Sequence, residues 1–183
     1  MLQLTRIRIE NAESGVITDS KTPRFSFSLA SDRQGARLEK YRITVEDEKK
    51  TVWDSGIRSD KKQVGIPYAG EPLKPFTAYE VRIAAEDQFG EQAESIAAFS
   101  TGRLETPWQA QWITDKAVPI PEKSSPVPLL FKKTFAIKEP PVRAWINATA
   151  LGIYDLCVNG EEQGDRYFAP GFTSYLHQIQ YQS

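Results

Sequence analysis

Cysteine and histidine are almost absent from this chain, whose 183 residues include one of each, Cys157 and His177. A single cysteine excludes an internal disulfide bond. Together the two residues also exclude the usual structural zinc sites, which need several ligands of these types. We therefore assign no metal ligands and no cofactor to this sequence.

Net charge is the second thing that the chain lacks, since 23 basic and 24 acidic residues leave a charge of −1. A surface balanced in this way does not attract nucleic acid or an anionic membrane, so we expect neither as a partner. No apolar run is long enough to cross a bilayer. The first residues lack the basic and then apolar pattern of a secretion signal. Unless a native signal has been replaced, these absences predict a cytoplasmic protein.

The first 103 residues do contain alternation of apolar and polar side chains with a period of two. In the clearest run, Tyr79, Val81 and Ile83 alternate with Glu80 and Arg82. Such alternation buries one face of a strand and leaves the other in water, as in an antiparallel sheet. About seven short strands separated by turns are typical of a β-sandwich. The predicted fold class is all-β, and residues 1–103 are predicted to form a fibronectin type III-like (immunoglobulin-like) β-sandwich.

Tyr79 has a candidate role of its own in that sandwich. Leu73 and Pro75 precede it, as in a tyrosine corner, where a tyrosine near the start of a strand bonds to backbone upstream. The alternative interpretation is that Tyr79 is simply the first core aromatic residue of its strand.

Residues 104–128 differ in composition, because they hold five of the 12 prolines. Proline removes backbone donors and favours extended, unpaired chain. The stretch also contains two large apolar side chains, Trp108 and Trp112. We interpret it as a Pro-rich connector that is docked on its neighbours through both tryptophans.

Residues 129–183 return to alternation, which predicts strands over residues 129–137, 142–148 and 154–158. Asn159-Gly160 follows, and this dipeptide favours a type I′ hairpin turn because both residues need positive φ. Roughly 55 residues without a disulfide bond or a metal are few for an independent core. The sequence therefore predicts a second β-domain that is incomplete within this chain.

Five segments resemble, in the same order, the N-terminal region of bacterial α-L-rhamnosidases. They are residues 22–27, residues 41–45 followed by 52–56, and residues 98–102, 108–113 and 150–175. One position departs from the family's pattern, because Phe172 stands where the motif commonly has tryptophan. The resemblance implies a fibronectin-like domain followed by a jelly-roll-like β-domain, of which residues 129–183 would be the start.

The resemblance also implies an activity, the inverting hydrolysis of terminal α-L-rhamnose from glycosides. The partners would be L-rhamnose-containing glycosides, bound by the full-length enzyme, and the downstream catalytic (α/α)6 domain that carries the carboxylates. An inverting mechanism needs a general acid and a carboxylate base, and we assign no catalytic residue in this chain. The fragment is thus predicted to be an inactive accessory region with a structural and carbohydrate-binding role. The alternative is a stand-alone fibronectin type III-like binding or adhesion module.

Three residues are candidates for carbohydrate binding: Asp165, Arg166 and Tyr167. Sugar sites combine an aromatic face with planar polar side chains, and this loop offers both close together. In the competing interpretation Asp165 caps a turn, Arg166 is solvated, and Tyr167 and Phe168 belong to the core.

Two other groups could suggest catalysis, but each has a simpler explanation. The carboxylates of residues 46–48 and 161–162 flank turns and are expected to be solvated loop charges. Cys157 lies in a predicted strand, where a small apolar cysteine is usually inert core. No third group is identifiable that would orient His177 beside it.

Overall fold

The computed structural model describes residues 1–48, 50–115, 128–142, 144–164 and 167–183. The described residues form strands and no helix, so these ranges hold no helix that could cross a membrane. The all-β prediction is therefore confirmed. The strands in chain order are β1 Leu2–Ile9, β2 Val16–Thr18, β3 Arg24–Ser31, β4 Leu38–Glu46, β5 Thr51–Asp54, β6 Ile66–Pro67, β7 Ala78–Asp87, β8 Gln92–Thr101, β9 Cys157–Val158 and β10 Glu161–Glu162.

The first eight strands make two sheets that pack as an immunoglobulin-like sandwich. One sheet has the strand order β1-β3-β6, and the other has the order β2-β8-β7-β4-β5. All neighbouring strands are antiparallel except β2 and β8, which are parallel. Strand β1 contacts β8 of the opposite sheet, so the apolar faces of both sheets meet in the interior.

The core of the sandwich consists of the apolar residues that alternate along its strands. Phe25 on β3, Ile43 and Val45 on β4, and Val81 and Ile83 on β7 have no exposed surface. The polar residues between them point to the outer faces, as the period of two requires. This pattern confirms the burial predicted from the sequence.

A tyrosine corner closes one end of the sandwich. The Tyr79 hydroxyl accepts a hydrogen bond from the backbone N–H of Lys74 at 2.8 Å. Its ring is buried and stacks on Phe99 with 5.2 Å between the ring centres. Tyr79 is therefore both a core aromatic residue and the corner residue, and the predicted corner is confirmed.

Replacing Tyr79 with phenylalanine should lower the free energy of unfolding by about 1–2 kcal/mol, because the N–H of Lys74 then loses its acceptor. Urea unfolding monitored by circular dichroism measures the change. Tyr175→Phe is the matched control, because the buried hydroxyl of Tyr175 has no hydrogen-bond partner among the described residues. Equal losses in the two variants would show that the corner bond contributes nothing specific.

Strands β9 and β10 form a β-hairpin in the C-terminal part of the chain. Strands β9 and β10 pair antiparallel, with Val158 opposite Glu161. Asn159 has φ of 55° and Gly160 has φ of 87°, which are the positive values of a type I′ turn. The predicted Asn-Gly hairpin is therefore confirmed.

The strands predicted over residues 129–137 and 142–148 are absent from the described residues there, apart from an isolated bridge between Ala148 and Gln182. Leu130 and Phe135 in the first of these segments are largely exposed. Alternation specifies which face of a strand is apolar, but a strand also needs a neighbour to accept its hydrogen bonds. Among the strands of the described ranges, none pairs with either segment.

Candidate functional site

The loop around residues 164–168 carries the predicted sugar site. Asp165 and Arg166 lie outside the described residues, whereas Tyr167 is described and is 89% exposed. Phe168 is 73% exposed and has a positive φ of 59°. The interpretation that Tyr167 and Phe168 are core residues is therefore wrong, because nothing in the described structure covers their rings.

A third exposed aromatic residue, Phe172, follows a turn that contains the cis peptide bond between Ala169 and Pro170. The loop is held at its base, where the N–H of Tyr154 donates to the carbonyl of Ala169 at 2.9 Å. We call Tyr167, Phe168 and Phe172 the aromatic surface. It presents apolar ring area to solvent, which suits stacking on the C–H face of a sugar.

The carboxylate groups that were expected to be solvated differ from each other. Glu161 and Glu162 on β10 are exposed, as predicted. Asp47 departs from the expectation, because its side chain is only 7% exposed. Its carboxylate accepts from the N–H of Lys50 at 3.0 Å and lies 3.1 Å from the ammonium of Lys74. These contacts give Asp47 a structural role in tying the β4–β5 turn to a neighbouring loop.

Cys157 and His177 do not form a catalytic pair in the described structure. Cys157 is exposed, so the expectation of a buried core cysteine is wrong. A strand of two residues is too short to cover it with neighbouring side chains. His177 is also exposed, and the structure records no hydrogen bond between the two among its described residues. Within the same residues, no group of three or more histidine, cysteine or acidic side chains could hold a metal ion.

An open cavity of about 490 Å³ lies at the base of the sandwich and has a mainly apolar lining. Pro72, Leu73, Pro75 and Leu104 contribute to this lining. An ion pair between Lys21 and Glu105, with 2.5 Å between its atoms, lies at the edge. We assign no function to this cavity.

A polar cluster between the sandwich and the C-terminal segment was not predicted from the sequence. The Tyr181 hydroxyl donates a short hydrogen bond to Asp19 and accepts one from the N–H of Arg103 at 3.0 Å. The ring of Tyr181 meets Trp108 edge-on at 5.7 Å, and the Arg103 guanidinium lies 3.9 Å from the Trp108 ring centre. We call Asp19, Gly102, Arg103, Trp108 and Tyr181 the Tyr181 joint. No local sequence pattern predicts the Tyr181 joint, because Asp19 and Tyr181 are 162 positions apart.

The joint accounts for one of the two tryptophans that were predicted to dock the connector. Trp108 packs against Arg103 and Tyr181, as expected. Trp112 is 61% exposed and has no ring partner among the described residues, so its docking stays a prediction.

Comparison with known proteins assigns the two successive β-regions of the chain to known domain families. The family model for the Rha78A-like N-terminal immunoglobulin domain matches residues 4–105, which is more than half of the chain. The chain belongs to this Rha78A-like family. A second model, for the α-L-rhamnosidase N-terminal domain, matches residues 139–183 of the Rha78A-like chain. The resemblance drawn from the five sequence segments is therefore confirmed.

Relatives of this Rha78A-like chain are much longer than it is. It is 28% identical over 142 residues to an α-L-rhamnosidase of Formosa agariphila, covering 70% of this chain and 15% of that protein. The solved α-L-rhamnosidase from Dictyoglumus thermophilum is 26% identical with a TM-score of 0.85, covering 98% of this chain and 22% of that one. The Streptomyces avermitilis α-L-rhamnosidase complexed with L-rhamnose is 30% identical with a TM-score of 0.61, covering 66% of this chain and 13% of that one. The chain thus spans less than a quarter of each relative.

Proposed function

We propose that the chain is the accessory N-terminal region of a cytoplasmic α-L-rhamnosidase that hydrolyses terminal α-L-rhamnose from glycosides. The observation that carries this proposal is the match of two rhamnosidase-type N-terminal domains, in order, to residues 4–105 and 139–183. The chemistry would then belong to a downstream (α/α)6 domain. The role of the present residues would be structural, in supporting and orienting that domain.

The surface of residues 129–183 supports a role in contact with a further domain. Leu130, Phe131, Phe135 and Ile137 expose between 52% and 93% of their surface. A soluble domain rarely leaves so many large apolar side chains uncovered in one short segment unless they form an interaction surface. We infer that the completed jelly-roll-like domain and its catalytic neighbour cover them.

The 183-residue chain alone should not hydrolyse an aryl α-L-rhamnoside, because its described residues supply no acid and base carboxylate pair facing a common cleft. An inverting pair would have to stand roughly 6.5–9.5 Å apart with room for water. Release of the aryl group measures turnover. The gene product that includes the downstream residues is the positive control. Turnover by the chain alone would contradict the assignment of the chemistry to another domain. Inactivity of the longer product on every rhamnoside would favour the adhesion module instead.

Carbohydrate binding at residues 165–167 is a second candidate function, and one observation favours it. Tyr167 is almost fully exposed, beside the exposed ring of Phe168. With the carboxylate of Asp165 and the guanidinium of Arg166 next to it in sequence, the loop holds the groups that recognise sugar hydroxyls. L-Rhamnose is the sugar to test, because it is the sugar that the proposed activity releases.

Titration of L-rhamnose into the labelled chain should shift the amide resonances of the loop and of Phe172. Asp165→Ala and Tyr167→Ala should each weaken this binding about tenfold, which corresponds to the loss of roughly 1.4 kcal/mol. Phe135→Ala is the matched control, because Phe135 is similarly exposed and lies outside the loop. An absence of shifts in the unmutated chain would rule out the site.

A further inference from the structure

We propose that the Tyr181 joint is an orientation lock, which holds residues 145–164 and 167–182 against the base of the immunoglobulin-like sandwich in one fixed arrangement. The Tyr181 hydroxyl makes the main contact of this lock, because it hydrogen-bonds both to the backbone N–H of Arg103 and to the carboxylate of Asp19. The lock is independent of rhamnose chemistry, and it would operate equally in a stand-alone binding module.

The sandwich contributes a prearranged half of the lock. The N–H of Leu104 donates to Asp19 at 2.7 Å, so that carboxylate is held in place by the backbone that follows β8. The N–H of Gly102 donates to the carbonyl of Thr18 at 3.0 Å, which joins the ends of β2 and β8. Arg103 is only 9% exposed. The Tyr181 hydroxyl therefore meets two partners that are already ordered by the sandwich.

Gly102 shows that the approach of Tyr181 is close. A Cβ atom at this position would lie 2.6 Å from the Tyr181 hydroxyl and 2.8 Å from Asp19 Oδ1, which is closer than real Cβ atoms come to other atoms. Gly102 is not among the residues with a positive φ, so backbone conformation does not demand glycine here. The space that its missing side chain leaves is the space that the contact between Asp19 and Tyr181 occupies.

A second contact prevents rotation about the first. The ring of Phe76, on the loop before β7, lies 6.2 Å from the ring of Trp145. The N–H of Phe76 donates to the carbonyl of Gly102 at 3.0 Å, so both contacts are tied to the same residue of the sandwich. Attachment at Trp145 and at Tyr181 fixes both the position and the direction of the C-terminal segment.

The segment that carries Tyr181 is in turn bonded to the rest of the C-terminal residues. Gln182 and Ala148 exchange two backbone hydrogen bonds of 2.9 and 3.0 Å. The Thr149 hydroxyl donates to the carbonyl of Gln180 at 2.6 Å, and the Gln182 amide donates to the carbonyl of Pro170 at 3.0 Å. Through these bonds the lock also determines where the aromatic surface lies relative to the sandwich.

Residual dipolar couplings of backbone amides test the lock in the full 183-residue chain. One alignment tensor should fit the couplings of strands β3, β4, β7 and β8 together with those of residues 145–164 and 167–182. Tyr181→Phe keeps the ring on Trp108 but removes both hydroxyl bonds. Gly102→Ala pushes the hydroxyl away. In both variants the two groups of couplings should need separate tensors.

Amide hydrogen exchange supplies the second measurement. Ala148 and Gln182 should exchange about tenfold faster in Tyr181→Phe, because their pairing loses its anchor on the sandwich. Tyr175→Phe is the control and should change neither measurement, since the Tyr175 hydroxyl has no hydrogen-bond partner in the part of the chain that the structure describes. Couplings within β3, β4, β7 and β8 must still fit one tensor, which verifies that the sandwich is intact. Two tensors in the unmutated chain, or a single tensor in both variants, would overturn the lock.

Discussion

Phe25→Ala should lower the free energy of unfolding by about 3–5 kcal/mol, which is a large part of the stability of a domain of this size. Phe25 has no exposed surface and lies between the two sheets of the sandwich. Its ring is 5.9 Å from that of Trp53 on β5 and 6.2 Å from that of Phe99 on β8. Truncation would open a cavity where the sheets meet, because neither neighbour can move into the space without leaving its own strand.

Urea unfolding monitored by circular dichroism measures this loss. Phe135→Ala removes the same ring from a site that is 72% exposed, and we expect it to cost under about 0.5 kcal/mol. A cost below about 1 kcal/mol for Phe25→Ala would mean that the sandwich closes around the deletion. That result would contradict the rigid core described here.

Raising the pH from 10 to 12 should destabilise the sandwich by roughly 2 kcal/mol for each of two buried tyrosines. Burial, together with a hydrogen bond to Asp60, raises the pKa of Tyr41 to about 12. Burial, followed by the effect of neighbouring Tyr79, raises the pKa of Tyr68 to about 12. The folded-state pKa values exceed the unfolded value of 10.0. This stabilisation is therefore complete below pH 10 and is lost as the pH rises toward 12.

Unfolding free energies at several pH values between 8 and 12, with tyrosinate absorbance as the titration signal, check this prediction. Tyr68→Phe removes one of the two tyrosines whose pKa is raised to about 12, so the fall in stability over the alkaline range should become less steep. The comparison uses the slope with pH, because the variant also loses the bond from the Tyr68 hydroxyl to the carbonyl of Glu71 at 2.6 Å. An unchanged slope would show that Tyr68 does not ionise in this range.

The sandwich was predictable because the alternation that specifies each strand lies within a few consecutive residues. Each strand needs only alternation with a period of two, and the completely buried residues Phe25, Ile43 and Val81 all follow it. The Asn159-Gly160 turn was predictable for the same reason, since two adjacent residues with positive φ determine its type. Alternation failed over residues 129–137, where the required neighbouring strand is not among the described elements.

The candidate site was less accessible to sequence reasoning. Composition identified an aromatic and polar loop, but it did not tell whether Tyr167 is buried or exposed, because exposure depends on which other segments cover it. Asp47 illustrates the same limit in the opposite direction. It was expected in solvent, yet Lys74 and the N–H of Lys50 enclose it.

The sequence by itself determined the all-β class, the inward faces of the sandwich strands, the tyrosine corner and the hairpin turn. Each of these depends on residues close together along the chain, where backbone geometry leaves few choices. Only the tertiary structure decided that Tyr181 bonds to Asp19 and Arg103, that Gly102 leaves room for it, and that Tyr167 faces solvent. Those facts depend on contacts between distant segments, and such contacts follow from the packing of the whole chain.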